Sequence, residues 1–203
     1  MVERYASHNP TAELAVHLGL DEEEPPAVKG RDLVWLGRID EDKAPHLAVR
    51  AAQILGRRIR MVGPVFVEEY VSRYETALAS DRVEWVGELG GAAKTAAIAG
   101  GSVFVYTYAR NYVEAGAAVF GESLWAGTPI AALTWRDGTC AQAALCERTG
   151  ATVVSDPAAD DESAAHALAK AIERASALDH FEVQATGLAR FDPASRFKAL
   201  AAL

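Results

Sequence analysis

From residue 33 onward the chain alternates between two patterns of hydrophobic and polar positions. Short, mainly apolar runs at 33–36, 59–62, 83–86, 103–106, 130–133 and 151–154 predict buried strands, because little in them is suited to face water. The segments between them carry apolar residues at helical spacing. Leu47, Ala48, Ala51, Ile54 and Leu55 make one stripe, and Pro45 suits the first turn of that helix, where a missing N–H is not needed. Asp160, Asp161 and Glu162 put acidic charge at the start of a helix carrying Leu168 and Ile172, which matches the helix dipole. Alternation on this scale predicts an α/β fold, a doubly wound parallel sheet of the Rossmann-like kind.

The two ends read differently. Residues 1–28 are expected to lie outside the sheet domain: 11–18 as a short helix, and 21–27, acidic with Pro25 and Pro26, as a linker. The domain is expected to run over 29–203. Near its end Phe191-Asp192-Pro193 predicts a cap for a last helix with Phe197 and Leu200 on one face. An apolar stripe of that kind, left uncovered, favours weak self-association.

Composition narrows the function. With 203 residues, 50% of them hydrophobic, the chain can bury a real core as one domain, or at most two small ones. A net charge of −8 argues against nucleic acid or an anionic membrane as the main partner. The one basic cluster, Arg57, Arg58 and Arg60, reads as the polar start of the second strand. Cys140 and Cys146, six apart in a predicted helix or its lead-in, have neither zinc nor disulfide spacing, and a reducing cytoplasm is expected. No stretch approaches the ~18 apolar residues of a membrane span, and the N-terminus has no apolar secretion-signal core.

The candidate chemistry gathers around residue 114. Glu114 and Glu122 lie eight apart, the first in a loop after an apolar strand and the second inside the following helix. Gly116, Ala117 and Ala118 open that helix, and small residues let free N–H groups approach a phosphate. Carboxylates beside an anion site suit a ligand whose phosphates carry sugars, since hydroxyls donate strong hydrogen bonds to charged acceptors. Gly87 to Thr95 follows a strand in the manner of a P-loop, but alanines occupy 92 and 93, where that motif needs Gly and Lys.

The Glu-x7-Glu spacing, followed by a helix and Gly127-Thr128-Pro129, resembles the retaining GT-B glycosyltransferases, specifically the large family four of nucleotide-sugar-dependent enzymes. A second block is similar to the same family: a strand over 33–36, then Gly37-Arg38, then Lys43 five residues after the arginine. The match runs from about residue 30 to residue 160. The resemblance implies the C-terminal, donor-binding half of a GT-B fold, with a nucleoside diphosphate sugar as ligand. It implies retaining transfer of a hexosyl group with no metal or other cofactor, the acceptor pocket lying in a missing N-terminal domain. The chain alone is then expected to bind donor without turning it over.

Carried onto this sequence, the resemblance assigns Arg38 and Lys43 to the departing diphosphate, Glu114 to donor-sugar hydroxyls and Glu122 to ribose hydroxyls. Gly37, Gly116, Ala117 and Ala118 complete the donor contact. Apart from the resemblance, most of the five histidines are expected at the solvated surface, with His46, near Lys43, a candidate to approach the diphosphate. There are departures. The usual Glu-Pro-Phe-Gly is Glu114-Ala-Gly116-Ala117, the usual Pro-Ser is Tyr106-Thr107, and 108–113 look inserted. The later Gly-Gly-x-x-Glu appears as Gly138-Thr-Cys-Ala-Gln142. Two other readings stand beside this one: a nucleotide-sugar epimerase of similar architecture, which needs an acid/base constellation not found here, and a non-catalytic nucleotide-sugar-binding module.

Overall fold

The computed structural model describes residues 29–114 and 118–191. The predicted helix over 11–18, the linker at 21–27, Gly116 and Ala117, and the last helix with Phe197 and Leu200 lie outside the described residues.

Six strands form one parallel sheet: β1 Leu33–Leu36, β2 Ile59–Val62, β3 Val83–Gly87, β4 Val103–Tyr106, β5 Ile130–Thr134 and β6 Gly150–Val154. Their order is β3-β2-β1-β4-β5-β6. The helices are α1 Pro45–Ile54, α2 Glu68–Arg73, α3 Glu75–Leu78, α4 Gly91–Ala99, α5 Ala118–Trp125, α6 Cys140–Ala144, α7 Asp161–Ser176 and α8 His180–Phe191. Each predicted strand is present, with its ends within one residue of the expected position. Cys146 lies beyond the end of α6 rather than inside a helix.

Burial follows position in the sheet. Every residue of β4 and β5 is buried, whereas the edge strands β3 and β6 are partly exposed. A parallel strand covered on both faces needs apolar side chains at consecutive positions, and Val103-Phe-Val-Tyr and Ile130-Ala-Ala-Leu supply them. One helical layer pairs α1 with α7, and α7 also packs along β5 and β6; α5 packs on α8 and touches α4. Asp160 caps α7 by accepting the Ser163 N–H, with Asp161 and Glu162 in the first turn as the dipole argument requires.

The turn from α5 into β5 needs its glycine. Gly127 has φ +67°, and a Cβ there would stand 2.7 Å from the His180 carbonyl oxygen. Thr128 Oγ1 then donates to the Ile98 carbonyl at 2.9 Å, and Ser123 Oγ donates to the Thr128 carbonyl at 2.8 Å. The Arg57–Arg60 cluster opens β2 and is spent on structure. Arg57 donates to Ser176 Oγ and the Arg31 carbonyl, and Arg60 pairs with Glu84 and Asp32.

Candidate functional site

In this strand order the chain turns back between β1 and β4, which are neighbours. β1 leads by α1 to β2 on one side, and β4 leads by α5 to β5 on the other. The loops leaving the carboxyl ends of β1 and β4 therefore diverge and leave a crevice, the usual ligand position of open α/β sheets. The predicted site residues come from these segments: Gly37, Arg38 and Lys43 from the β1–α1 loop, Glu114 from the β4–α5 loop, Ala118 and Glu122 from α5.

The β1–α1 loop is held by its own backbone. The Gly37 N–H donates to the Val62 carbonyl at 3.0 Å. Opposite it, Gly63 has φ +139°, and a Cβ there would lie 1.9 Å from the Gly37 carbonyl oxygen, so only glycine lets the two loops meet. Buried Asp40 accepts the Lys43 N–H at 3.0 Å and binds Arg38 Nε at 3.1 Å. Ala44 takes φ +44°, a left-handed conformation that costs a non-glycine residue about 1–2 kcal/mol. Its N–H bonds the Asp40 carbonyl at 3.2 Å, which fixes the strained residue just after Lys43.

A buried relay ties this loop to β4. Trp35 Nε1–H donates to Thr107 Oγ1 at 2.9 Å, and Thr107 Oγ1–H donates to the Lys43 carbonyl at 2.8 Å. The relay fixes the backbone of Lys43, whose ammonium pairs with Glu114 and lies 4.8 Å from the Tyr112 ring centroid. Only 20% of the Lys43 side chain and 13% of that of Glu114 are exposed. Sequence neighbours did not bring this pair together; the adjacency of β1 and β4 did.

Glu122 has a different partner. Lys94, in the first half of α4, holds its carboxylate at 2.7 Å, and both side chains are mostly covered. Arg38 is the more open cation. It bonds Asp42 at 3.2 Å and lies 4.8 Å from the ring of Phe66, itself well exposed. The site thus holds cations suited to phosphate oxygens beside carboxylates suited to hydroxyls, each charge balanced by a neighbour in the free chain.

His46 is buried among partners of its own. Its ring stacks on Tyr74 at 3.9 Å, Nδ1 meets the Tyr70 hydroxyl and Nε2 meets Asp161 at 3.1 Å. Burial holds its pKa below the ordinary value, against the opposing pull of Asp161. The ring lines a cavity of about 430 Å³ with Tyr74, Asp161, Arg110 and Tyr112. The inserted stretch forms another wall and is firmly anchored: Arg110 pairs with Asp161 at 2.8 Å and stacks 4.2 Å over Trp135, while the Ala109 N–H bonds the Asp42 carbonyl at 2.8 Å.

Lys94 and Thr107 hold candidate site residues, Glu122 and the backbone of Lys43, and neither stands out in the sequence as part of the site. Lys94 stood within the rejected P-loop-like segment, although a cation in the helix after a strand was a usable signal. Thr107 showed only as a departure from Pro-Ser. Among the described residues no group of three or more His, Cys, Asp or Glu is arranged to hold a metal, and no helix is long and apolar enough to cross a membrane.

No family model and no curated protein matches the chain. Solved structures do. Over 85% of its length the chain is similar to 50% of AviGT4, a glycosyltransferase involved in avilamycin A biosynthesis, with TM-score 0.61 and 23% identity. Over 93% it is similar to 38% of a chain of the GtfA/B complex, with TM-score 0.64 and 15% identity. Over 85% it is similar to 34% of a mutant of S. aureus TarM solved with fondaparinux, α-GlcNAc-glycerol and UDP, with TM-score 0.58 and 10% identity. At these identities the likeness is one of fold, and the chain spans half or less of each solved chain.

Proposed function

We propose that this chain is the donor-binding half of a nucleotide-sugar-dependent glycosyltransferase that transfers a hexosyl group with retention of configuration. The observation that carries the reading is the Lys43–Glu114 pair, formed between the β1–α1 and β4–α5 loops where the strand order reverses. The shared fold with AviGT4, and UDP in the TarM structure, support it.

Breaking the bond between an anomeric carbon and a diphosphate builds negative charge on the departing oxygens. In the proposed mechanism Arg38 and Lys43 stabilise that charge, the role a divalent metal serves in other folds. Arg38 offers a planar fork for two phosphate oxygens, and Lys43 a point charge. Glu122 accepts the ribose hydroxyls. Glu114 accepts donor-sugar hydroxyls and supports positive charge developing near the anomeric carbon. Gly116, Ala117 and Ala118 bring main-chain N–H groups to the donor, and Gly37, its own N–H bonded to the Val62 carbonyl, shapes the β1–α1 loop beneath it. The acceptor would be held by an N-terminal domain joined to this one, so the chain alone binds donor without transferring it.

The test is a calorimetric titration with UDP, ADP, GDP, TDP and their sugars. One base is expected to bind as the diphosphate and as the nucleotide sugar, and more tightly than its nucleoside. Failure of the whole panel to bind would refute the reading. Sugar transfer by this chain alone to a broad acceptor panel would refute the half-enzyme part of it.

A further inference from the structure

Tyr106 ends β4, and its ring packs edge-on against Phe120 at 4.6 Å and tilted against Tyr108 at 5.8 Å. The residue is 5% exposed. Among the described residues its Oη is the one buried side-chain polar atom with no hydrogen-bond partner. Phenylalanine would fill the same space without desolvating a hydroxyl, so the O–H is a standing cost to the free chain. Such a cost calls for a second state in which the hydroxyl is used.

Glu114 supplies that state. Burial, then the charges of Cys140 and Glu114 and a side-chain interaction with Glu114, hold the Tyr106 phenol far above its usual range; the Glu114 carboxylate thus lies beside the O–H without meeting it in hydrogen-bond geometry. In the free chain that carboxylate is aligned on Lys43 instead. The residue after Tyr106, Thr107, holds the Lys43 carbonyl, so all three groups belong to one cluster. If Lys43 turns towards phosphate oxygens, Glu114 is left as a largely buried carboxylate without its counter-charge, an unfavourable arrangement unless another donor replaces the lysine.

We propose that Tyr106 is the positioning residue for Glu114: when Lys43 engages a bound nucleoside diphosphate, the released carboxylate accepts a hydrogen bond from the Tyr106 O–H. One carboxylate oxygen is then fixed by the phenol and the other is left to accept sugar hydroxyls. This rests on the donor-site reading above.

Tyr106→Phe tests it in two arms. Without ligand, the variant should melt at or above the wild-type temperature, because it removes an unpartnered hydroxyl. In a Lys43→Met background Glu114 has lost its lysine and should already use the phenol. There Tyr106→Phe should lower the melting temperature by roughly 3–12 °C, the scale for one hydrogen bond to a charged group in a domain of this size. With ligand, Tyr106→Phe should weaken the diphosphate and its sugar about tenfold or more and leave the free nucleoside unchanged. A lower melting temperature for Tyr106→Phe alone would show that the hydroxyl already has a partner and overturn the proposal. Equal effects in both backgrounds, or unchanged diphosphate affinity, would overturn it too. The melting arm needs no ligand, so it separates the Tyr106–Glu114 contact from the donor-site reading. Absence of nucleotide binding to wild type would sink that reading and the proposed trigger with it.

Discussion

Replacing Thr107 by valine keeps the shape of the side chain and removes one oxygen. That oxygen accepts from Trp35 Nε1–H at 2.9 Å and donates to the Lys43 carbonyl at 2.8 Å. Thr107 is 1% exposed and Trp35 2%, so water cannot take its place at the indole. An unsatisfied buried donor costs about 1–3 kcal/mol, and the partly covered Lys43 carbonyl adds a smaller amount, so about 2–4 kcal/mol is expected. At roughly 2–4 °C per kcal/mol for a domain of this size, the melting temperature should fall by about 4–16 °C. Urea titration with an unchanged m-value would confirm that stability rather than compactness has altered. Thr107→Ser is the control: it keeps the relay and loses a methyl group, so it should cost about 1 kcal/mol. The valine variant should also bind the preferred nucleoside diphosphate less tightly, because the backbone that sets Lys43 against Glu114 is loosened. A valine variant melting within about 2 °C of wild type would refute the relay, as would a serine variant equally destabilised.

Three further outcomes follow from the site. Arg38→Ala and Lys43→Ala should weaken nucleoside diphosphate far more than nucleoside, since their proposed partners are phosphate oxygens; calorimetry showing a uniform loss for both ligands would mean a damaged fold instead. Glu122→Ala should cost about 1.5–3 kcal/mol of diphosphate affinity. Lys94→Met and Glu122→Gln should each destabilise the free chain by leaving one charge of a mostly covered pair unmatched. The double variant should recover about 1–3 kcal/mol in a urea-based cycle, and strict additivity would argue against the pair. His46 has a folded pKa below its unfolded one, so the unfolded chain takes up protons first as pH falls. Its contribution is intact above about pH 6.5 and is lost as pH drops through the folded value, so His46→Gln should flatten the pH dependence of urea stability below pH 7.

The fold was legible in the sequence to an unusual degree because the sheet is parallel and covered on both faces. Buried strands such as Val103-Phe-Val-Tyr have no polar face, and they contrast sharply with the amphipathic helices between them. The less legible parts are those whose pattern is weak. The short helices α2 and α3 pack little apolar surface, with Tyr70 and Leu78 their buried residues, and they left no clear stripe. Helix α8 buries Val183, Gly187 and Phe191, a thin stripe with a glycine in its middle, which makes a weak pattern in the sequence.

The candidate site could be named from the sequence as a set of residues and not as a set of partners. Arg38, Lys43, Glu114 and Glu122 stood out by resemblance to a family pattern, and the structure carries the first three in loops and Glu122 in α5, where that pattern puts them. Their pairing did not follow from spacing. Lys43 lies 71 residues from Glu114, and Lys94 lies 28 from Glu122. The same holds for His46, whose partner Asp161 is 115 residues away at the start of α7.

What the sequence determined by itself is therefore local and periodic: which runs are strands, where Pro45 starts a helix, where Gly127 turns the chain, and which charged residues sit at the carboxyl ends of strands. These follow from side-chain period, backbone sterics and the helix dipole, which act within a few residues. The tertiary structure alone decided that β1 lies beside β4, that Thr107 carries the backbone of Lys43, that Glu122 is held by Lys94, and that the Tyr106 hydroxyl is buried without a partner. The reason is physical: strand order is settled by the packing of whole helices on both faces of the sheet, and only that order brings distant charges within a few ångströms of one another.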